Sequence, residues 1–251
     1  MSKGKVLMAM SGGIDSTMAS LILHEQGYEV IGITMKTWDY ANSGGNKKET
    51  GCCSLDSIND ARQLAVDCGF PHTILDIRKE FGDYIIDNFV DEYIAGRTPN
   101  PCVLCNTHIK WEALLKRADM LGCDYISTGH YAQVRKLNNR YIVSKGIDES
   151  KDQSYVLWGV TQDCLKRTIF PMGNLHKKDI KQIAPYVTIK NIEIISATKL
   201  ISPAKQKTKA IPIVTREALN GSPDLFSLDR NTLDFLANIL SAPKACNVLG
   251  A

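Results

Sequence analysis

At 251 residues the chain is long enough for one large α/β domain and a smaller piece. Its 44% hydrophobic and 23% charged residues are ordinary for a soluble globular protein, and a formal net charge of +3 permits a nucleic-acid partner without demanding one. No apolar run approaches the length of a membrane span, and the N-terminal run is too short for a signal peptide, so no membrane partner and a cytoplasmic protein are expected. Eight cysteines in such a chain argue against a disulfide framework and toward catalytic or metal-binding thiols.

In chain order, residues 6–10 read as the first buried parallel strand, followed by the turn Ser11-Gly12-Gly13-Ile14-Asp15-Ser16 and a helix over 17–26. Further strands are expected at 30–35, 72–76 and 125–128, with helices at 55–68, 79–95 and 107–121 between them. Residues 39–50 read as a long loop. Residues 131–134 and 141–144 flank Asn138-Asn139 as a β-hairpin, and helices follow around 161–167 and 177–184, where Pro185 should stop the last one. The alternation predicts an α/β fold, a doubly wound parallel sheet with ligands at the carboxyl ends of its strands. Residues 186–203 show no clean alternation, Lys205, Lys207 and Lys209 form a short basic cluster, and 225–240 fits one amphipathic helix.

The glycine turn between a strand and a helix is the first chemical signal. Its glycines let backbone approach an anion closely, and the helix N-terminus presents unpaired N–H groups with a favourable dipole. Ser11 and Ser16 add hydroxyl donors, and Asp15 is a carboxylate able to hold a magnesium ion that bridges phosphate oxygens. The turn lacks the lysine of a Walker A loop and is not GxGxxG; its bland alternative is an ordinary glycine turn. The second signal is Cys102-Val103-Leu104-Cys105, entered through Pro99-Asn100-Pro101. That spacing suits a redox pair, a mixed-disulfide relay or a metal clamp, or else two small half-buried residues. Arg97, His108 and Lys110 lie near enough in sequence to favour thiolate. Cys52-Cys53, Cys68, Cys123 and Cys164 read as packing residues.

Together, SGGIDS (11–16), GCCS (51–54), GRTPNPCVLCN (96–106), STGHY (127–131) and KDQSY (151–155) resemble the bacterial tRNA-specific 2-thiouridylases, a family of N-type ATP pyrophosphatases. The resemblance covers about residues 5 to 184 and implies a Rossmann-like sheet of the adenine-nucleotide alpha-hydrolase type. Such enzymes adenylate the carbon-2 oxygen of the tRNA wobble uridine and replace it with sulfur. ATP and Mg²⁺ are thereby implied, as are a tRNA bearing a wobble uridine and a sulfur-donor protein, a cysteine desulfurase or a sulfur relay.

Residue by residue, the resemblance assigns ATP to Ala9, Met10, Ser11, Gly12, Gly13, Ile14, Asp15 and Ser16, with Met35 on the adenine side and Gly129 closing the pocket. It places Asn100, Pro101 and Cys102 against the target base, Lys151, Asp152 and Gln153 against tRNA, and Cys105 as the first catalytic cysteine. Many members have Asp at position 102. The Cys-x-x-Cys form resembles a subgroup, and related tRNA thiolases, in which three cysteines hold an iron–sulfur cluster; Cys102 and Cys105 would then be two ligands. The implied organisation is a nucleotide-binding domain over 1–150, the start of a tRNA-binding helical region over 151–184, and a divergent tail over 185–251. The tail lacks the segment carrying the family's second, persulfide cysteine, its one thiol being Cys246, and reads as a truncated, frameshifted or replaced end. Two other functions compete: an ATP- and tRNA-binding remnant of the family without the second half of the chemistry, and a small-molecule amidotransferase. Paired thiols beside KDQSY argue against the latter, because amidation needs none.

Overall fold

The computed structural model describes residues 2–37 and 55–187; the loop expected at 39–50, Cys52, Cys53, Lys205, Lys207, Lys209, the helix over 225–240 and Cys246 lie outside them. Strand β1 (Lys5–Ala9) runs through the glycine turn into helix α1 (Ile14–Glu25), and β2 (Glu29–Lys36) follows. Helix α2 (Leu55–Cys68) leads to β3 (His72–Asp76). The chain then forms α3 (Arg78–Phe81), a π-helical turn (Gly82–Ile86) and α4 (Asp87–Ile94). A second such stack contains α5 (Pro101–Leu104), a π-helical turn (Cys105–Lys110) and α6 (Trp111–Met120). After β4 (Tyr125–Ser127), strands β5 (Ala132–Leu137) and β6 (Arg140–Lys145) make the hairpin, and α7 (Gln162–Arg167) runs into β7 (Thr168–Ile169).

Strands β3, β2, β1, β4 and β7 form, in that order, one wholly parallel sheet, the predicted α/β architecture. Central β1 keeps Val6, Leu7 and Met8 at 0% exposure, because a parallel sheet is covered on both faces and its middle strand must be apolar on both. Backbone contacts divide the chain into two compact units, Met1–His176 and Lys177–Ala251; helix α8 (Lys177–Val187) is the described part of the second.

Several boundaries differ from expectation for local reasons. The first helix begins at Ile14, so Ile14, Asp15 and Ser16 form its first turn and are not part of the loop. The helix expected from 107 starts six residues earlier, with Pro101 in its first turn and the Asn100 side-chain oxygen accepting from the Val103 N–H at 3.2 Å. Both thiols of the Cys-x-x-Cys pair are therefore helical. Helix α8 passes Pro185 and ends at Val187, since one missing amide donor near a helix end removes a single bond. The two-residue β7 is too short to leave a periodic signal. The hairpin turns on Asn138 and Asn139, both at positive φ (45° and 64°), the left-handed pair that a two-residue turn requires and asparagine tolerates.

Trp111, 1% exposed, organises the core under β4 and β7. Its indole N–H donates to Thr168 Oγ1 at 3.0 Å, and that hydroxyl donates on to the Cys164 carbonyl at 2.7 Å. Arg167 ties the same corner down from outside, donating to the Asp124 carbonyl at 3.0 Å and the Cys123 carbonyl at 2.5 Å. Trp111→Ala should cost about 3–5 kcal/mol in a urea unfolding titration, through a cavity and an orphaned hydroxyl. An unchanged midpoint would show that the core closes without the indole.

Candidate functional site

Strand order reverses at β1, which lies between β2 and β4, so the crevice of this sheet opens at the carboxyl ends of β1 and β4. Two loops meet there. The first runs from β1 through Met10 to Gly13, the N-cap of α1, and leaves the first-turn amides of that helix without intrahelical partners. Gly12 sits at φ +73°, and a Cβ on it would lie 2.1 Å from the Ser57 carbonyl oxygen, so the loop is pressed against the start of α2 as only glycine allows. The second loop, Thr128 to His130, brings Gly129 over α1: a Cβ there would stand 2.9 Å from the Ser16 amide nitrogen and 3.0 Å from the Asp15 carbonyl carbon. Ala9 to Ser16 and Gly129 thus converge on one helix N-terminus.

The serine hydroxyls do less toward a ligand than expected. Ser16 is 4% exposed and donates its Oγ–H to the Gly13 carbonyl at 2.9 Å. The Ser11 N–H donates to Ser16 Oγ at 3.1 Å, and the two hydroxyls stand 3.3 Å apart. Ser16 therefore braces the turn from within.

Asp15 is held by a residue to which no role had been assigned. Tyr131, 3% exposed, donates its hydroxyl to Asp15 Oδ1 at 2.9 Å. Burial, the Asp15 charge and the hydrogen bond itself, then the charge of Asp148, push the Tyr131 phenol well above its ordinary value of 10.0, so it remains a donor. Gln153 fixes Tyr131 from behind: its Oε1 accepts from the Tyr131 N–H at 3.0 Å, and its own N–H donates to the Tyr131 carbonyl at 2.9 Å. Asp152 holds its own loop, accepting from the Gly146 N–H at 3.0 Å and the Ser154 hydroxyl at 2.7 Å. Lys151 is exposed.

The thiols lie on a neighbouring wall. Met35, beside Leu75 in the β2–β3 register, packs against the cluster of Ile77, Ile85 and Ile109 that Cys105 also joins. Cys105 is partly buried and Cys102 exposed. Arg97 does not lend its charge to them: its guanidinium is balanced by Glu92, with Nε to Oε2 at 2.6 Å and an Nη to Oε1 at 2.8 Å. Buried Cys123 and Cys164 have their thiols pushed up by desolvation and belong to the core, as expected. Among the described residues no group of three or more His, Cys, Asp or Glu side chains could hold a metal ion, so Cys102 and Cys105 offer two ligands of the three a cluster would take. Asp15 alone fits the single-carboxylate role of a magnesium ion held mainly by phosphates.

Residues 4–199 match the tRNA methyl transferase HUP domain family. This chain belongs to that family. The match extends beyond residue 184, where the motif resemblance ended. Among relatives, the tRNA-specific 2-thiouridylase MnmA of Cytophaga hutchinsonii is 71% identical over 182 residues, covering 72% of this chain and 50% of that protein. The protein of the same name from Amoebophilus asiaticus is 70% identical over 184 residues, covering 73% and 49%. The chain spans about half the length of the curated relatives it matches. A predicted tRNA methyltransferase subunit from Methanocaldococcus jannaschii superposes at a TM-score of 0.38 and 17% identity, over 72% of this chain and 74% of that one, too loosely to bear on function. Among the described residues of this family member, no helix is long and apolar enough to cross a membrane.

Sequence reading left two site residues without a role, Tyr131 and His130, although the tract that opens the crevice loop at Ser127 carries both. His130 shares a 2.7 Å hydrogen bond between Nδ1 and Thr128 Oγ1 and packs on Trp111 and Phe170. Desolvation, helped by the Lys110 charge, pulls it from 6.5 down to about 3. Between those values the unfolded chain binds the proton and the folded one does not, so stability from this group is complete above pH 6.5 and falls as pH drops toward 3. His130→Gln should flatten that part of the Tm–pH curve; an equally steep decline would assign it to other groups. Gly129→Ala should lower nucleotide affinity tenfold or more (about 1.4 kcal/mol), because its methyl forces the loop off α1. Calorimetric titration with ATP checks this, and unaltered affinity would place the nucleotide elsewhere.

Proposed function

We propose that this chain carries the base-activating part of an ATP-dependent tRNA-uridine 2-sulfurtransferase. One observation carries the reading: the loops after β1 and β4 converge on the N-terminus of α1 with Asp15 held by Tyr131. The relatives' printed names supply the reaction, and the five motifs shared with the 2-thiouridylases agree with it.

The chemical difficulty is a urea-like carbonyl, a poor electrophile whose oxygen is a poor leaving group. In the proposed sequence the uridine O2 attacks the α-phosphorus of ATP and pyrophosphate departs. A sulfur nucleophile then adds at carbon 2, and AMP leaves with the original oxygen. The amides of Gly12, Gly13 and Ile14 hold phosphate oxygens, and the α1 dipole favours the charge developing there. Asp15 would hold a magnesium ion, which would neutralise the charge of the departing pyrophosphate. Tyr131 keeps the Asp15 carboxylate turned toward the crevice, and Gly129 closes the nucleotide side with Met35.

Asn100, Pro101 and Cys102 stand at the start of the thiol-bearing helix, where the target base would enter. The persulfide of a sulfur-donor protein would add its outer sulfur at carbon 2. The Cys105 thiolate, on the Met35 wall, would then attack the donor's inner sulfur, breaking the S–S bond to leave the thiocarbonyl on the base and a mixed disulfide that a dithiol reductant reopens. Lys151 offers a phosphate contact, whereas Asp152 and Gln153 serve tRNA by shaping the loop that presents it.

Nucleosides from a wobble-uridine tRNA incubated with the chain, Mg-ATP and a persulfide source should contain 2-thiouridine by mass spectrometry. Asp15→Ala should lose both AMP release and product. Cys105→Ser should lose the product while keeping nucleotide affinity. No 2-thiouridine where a full-length relative succeeds in parallel would reduce the chain to a nucleotide-binding remnant; lost nucleotide affinity in Cys105→Ser would show the thiol's role to be misplaced.

A further inference from the structure

The loop that Gln153 anchors continues into a surface for which the adenylation site has no use. A 3₁₀ turn (Ser154–Val156) and the bend after it bury Val156 (5% exposed), Leu157 (0%) and Val160 (6%) in the main core. Above that footing, Tyr155 and Trp158 project into solvent at 62% and 75% exposure. Both rings line one groove. A tryptophan so exposed is unusual, since burying its large ring is favourable. The backbone beneath is pinned by the Val156 N–H to the Gln153 carbonyl at 3.2 Å, the Leu157 N–H to the Ser154 carbonyl at 3.1 Å, and the buried Asn106 side-chain N–H to the Val156 carbonyl at 3.2 Å. The rings therefore stand on a stiff base.

Beside them lies a groove of about 500 Å³, walled by β6 on one side and by the start of α7 on the other. Gln162 closes the β6 edge there by accepting from the Tyr141 N–H and donating to the Tyr141 carbonyl, each at 2.8 Å. The single charged residue lining the groove is Arg140. The hairpin behind it contributes Arg135, Lys136 and Lys145, with no acidic residue between Ala132 and Ile147, and Lys136 Nζ stands 5.9 Å from the centre of the Tyr141 ring.

We propose that this groove binds an unpaired stretch of RNA, with Tyr155 and Trp158 stacking on base faces while Arg140 and Lys136 take the phosphates. The charge disfavours a basic partner, and exposed rings beside cations match the chemistry of a single strand, whose bases are free to stack. Choosing RNA among polyanions rests on the sulfurtransferase reading. The groove adjoins the Gln153–Tyr131–Asp15 chain, so nucleotides flanking the modified base are its natural occupants.

The test titrates the intact chain, without ATP, with an unstructured mixed-sequence RNA of about eight nucleotides, following tryptophan emission, with inorganic polyphosphate as the anion that has no bases. RNA should quench the emission and polyphosphate should not. Trp158→Ala and Tyr155→Ala should each weaken RNA binding about fivefold or more, with Tm and polyphosphate binding unchanged. Arg140→Ala should weaken both ligands and reduce the salt dependence by about one counterion. RNA affinity in both aromatic variants equal to that of the unchanged chain, or equal binding of RNA and polyphosphate, overturns the proposal and leaves the rings to a polypeptide partner. Since ATP is absent, groove binding without 2-thiouridine formation would separate this inference from the sulfurtransferase reading, as would the converse.

Discussion

The hydrogen bond from Tyr131 to Asp15 joins residues 116 positions apart at the point where the two halves of the sheet diverge, and much of the site is arranged around it. A carboxylate in the first turn of a helix is favoured by the dipole, yet alone it would be free to swing into solvent. A buried phenol that keeps its proton supplies a fixed donor and removes that freedom. The phenol is in turn positioned through its own backbone, because Gln153 satisfies both the N–H and the carbonyl of Tyr131. Three separate tracts, 11–16, 127–131 and 151–155, thus become one rigid object.

That object sits where it does because of strand order. With β4 paired to β1 on the side away from β2, the chain leaves two adjacent strands toward opposite faces, and a crevice opens between the departing loops. Gly129 and Gly12 make the closure tight, one against α1 and the other against α2, at separations that no Cβ could occupy without displacing backbone. The thiol-bearing helix borders the same end of the sheet through the apolar cluster shared by Met35 and Cys105.

The surface complements this arrangement unevenly. Near-neutral overall charge hides a hairpin whose ionisable residues are all basic, beside a loop that raises two aromatic rings on a buried footing. Asn106 reaches from the thiol-bearing turn to that loop, so the platform and the Cys105 segment share a mechanical link. A local cationic patch of this kind governs encounters with a polyanion more than the sum of charges does.

The parallel sheet, four of its five strands and the tight glycine turn into a helix were legible in the chain, because buried strands need apolar runs and such a turn needs glycine. The thiol spacing was equally plain, since two cysteines three apart are a local fact, whereas their place in a helix that begins at Pro101 was not. The roles inside the motifs were not. The Ser16 hydroxyl donates to the Gly13 carbonyl within its own turn, and Gln153 braces Tyr131 from 22 positions away, neither of which the linear pattern shows. Arg97 stands close to the cysteines in sequence, but the Glu92 carboxylate on the helix just before it claims it. Pattern along a chain records which residues must be apolar, small or capping. Which polar group meets which depends on strand order and loop approach, and these set distances between residues that the linear sequence leaves far apart.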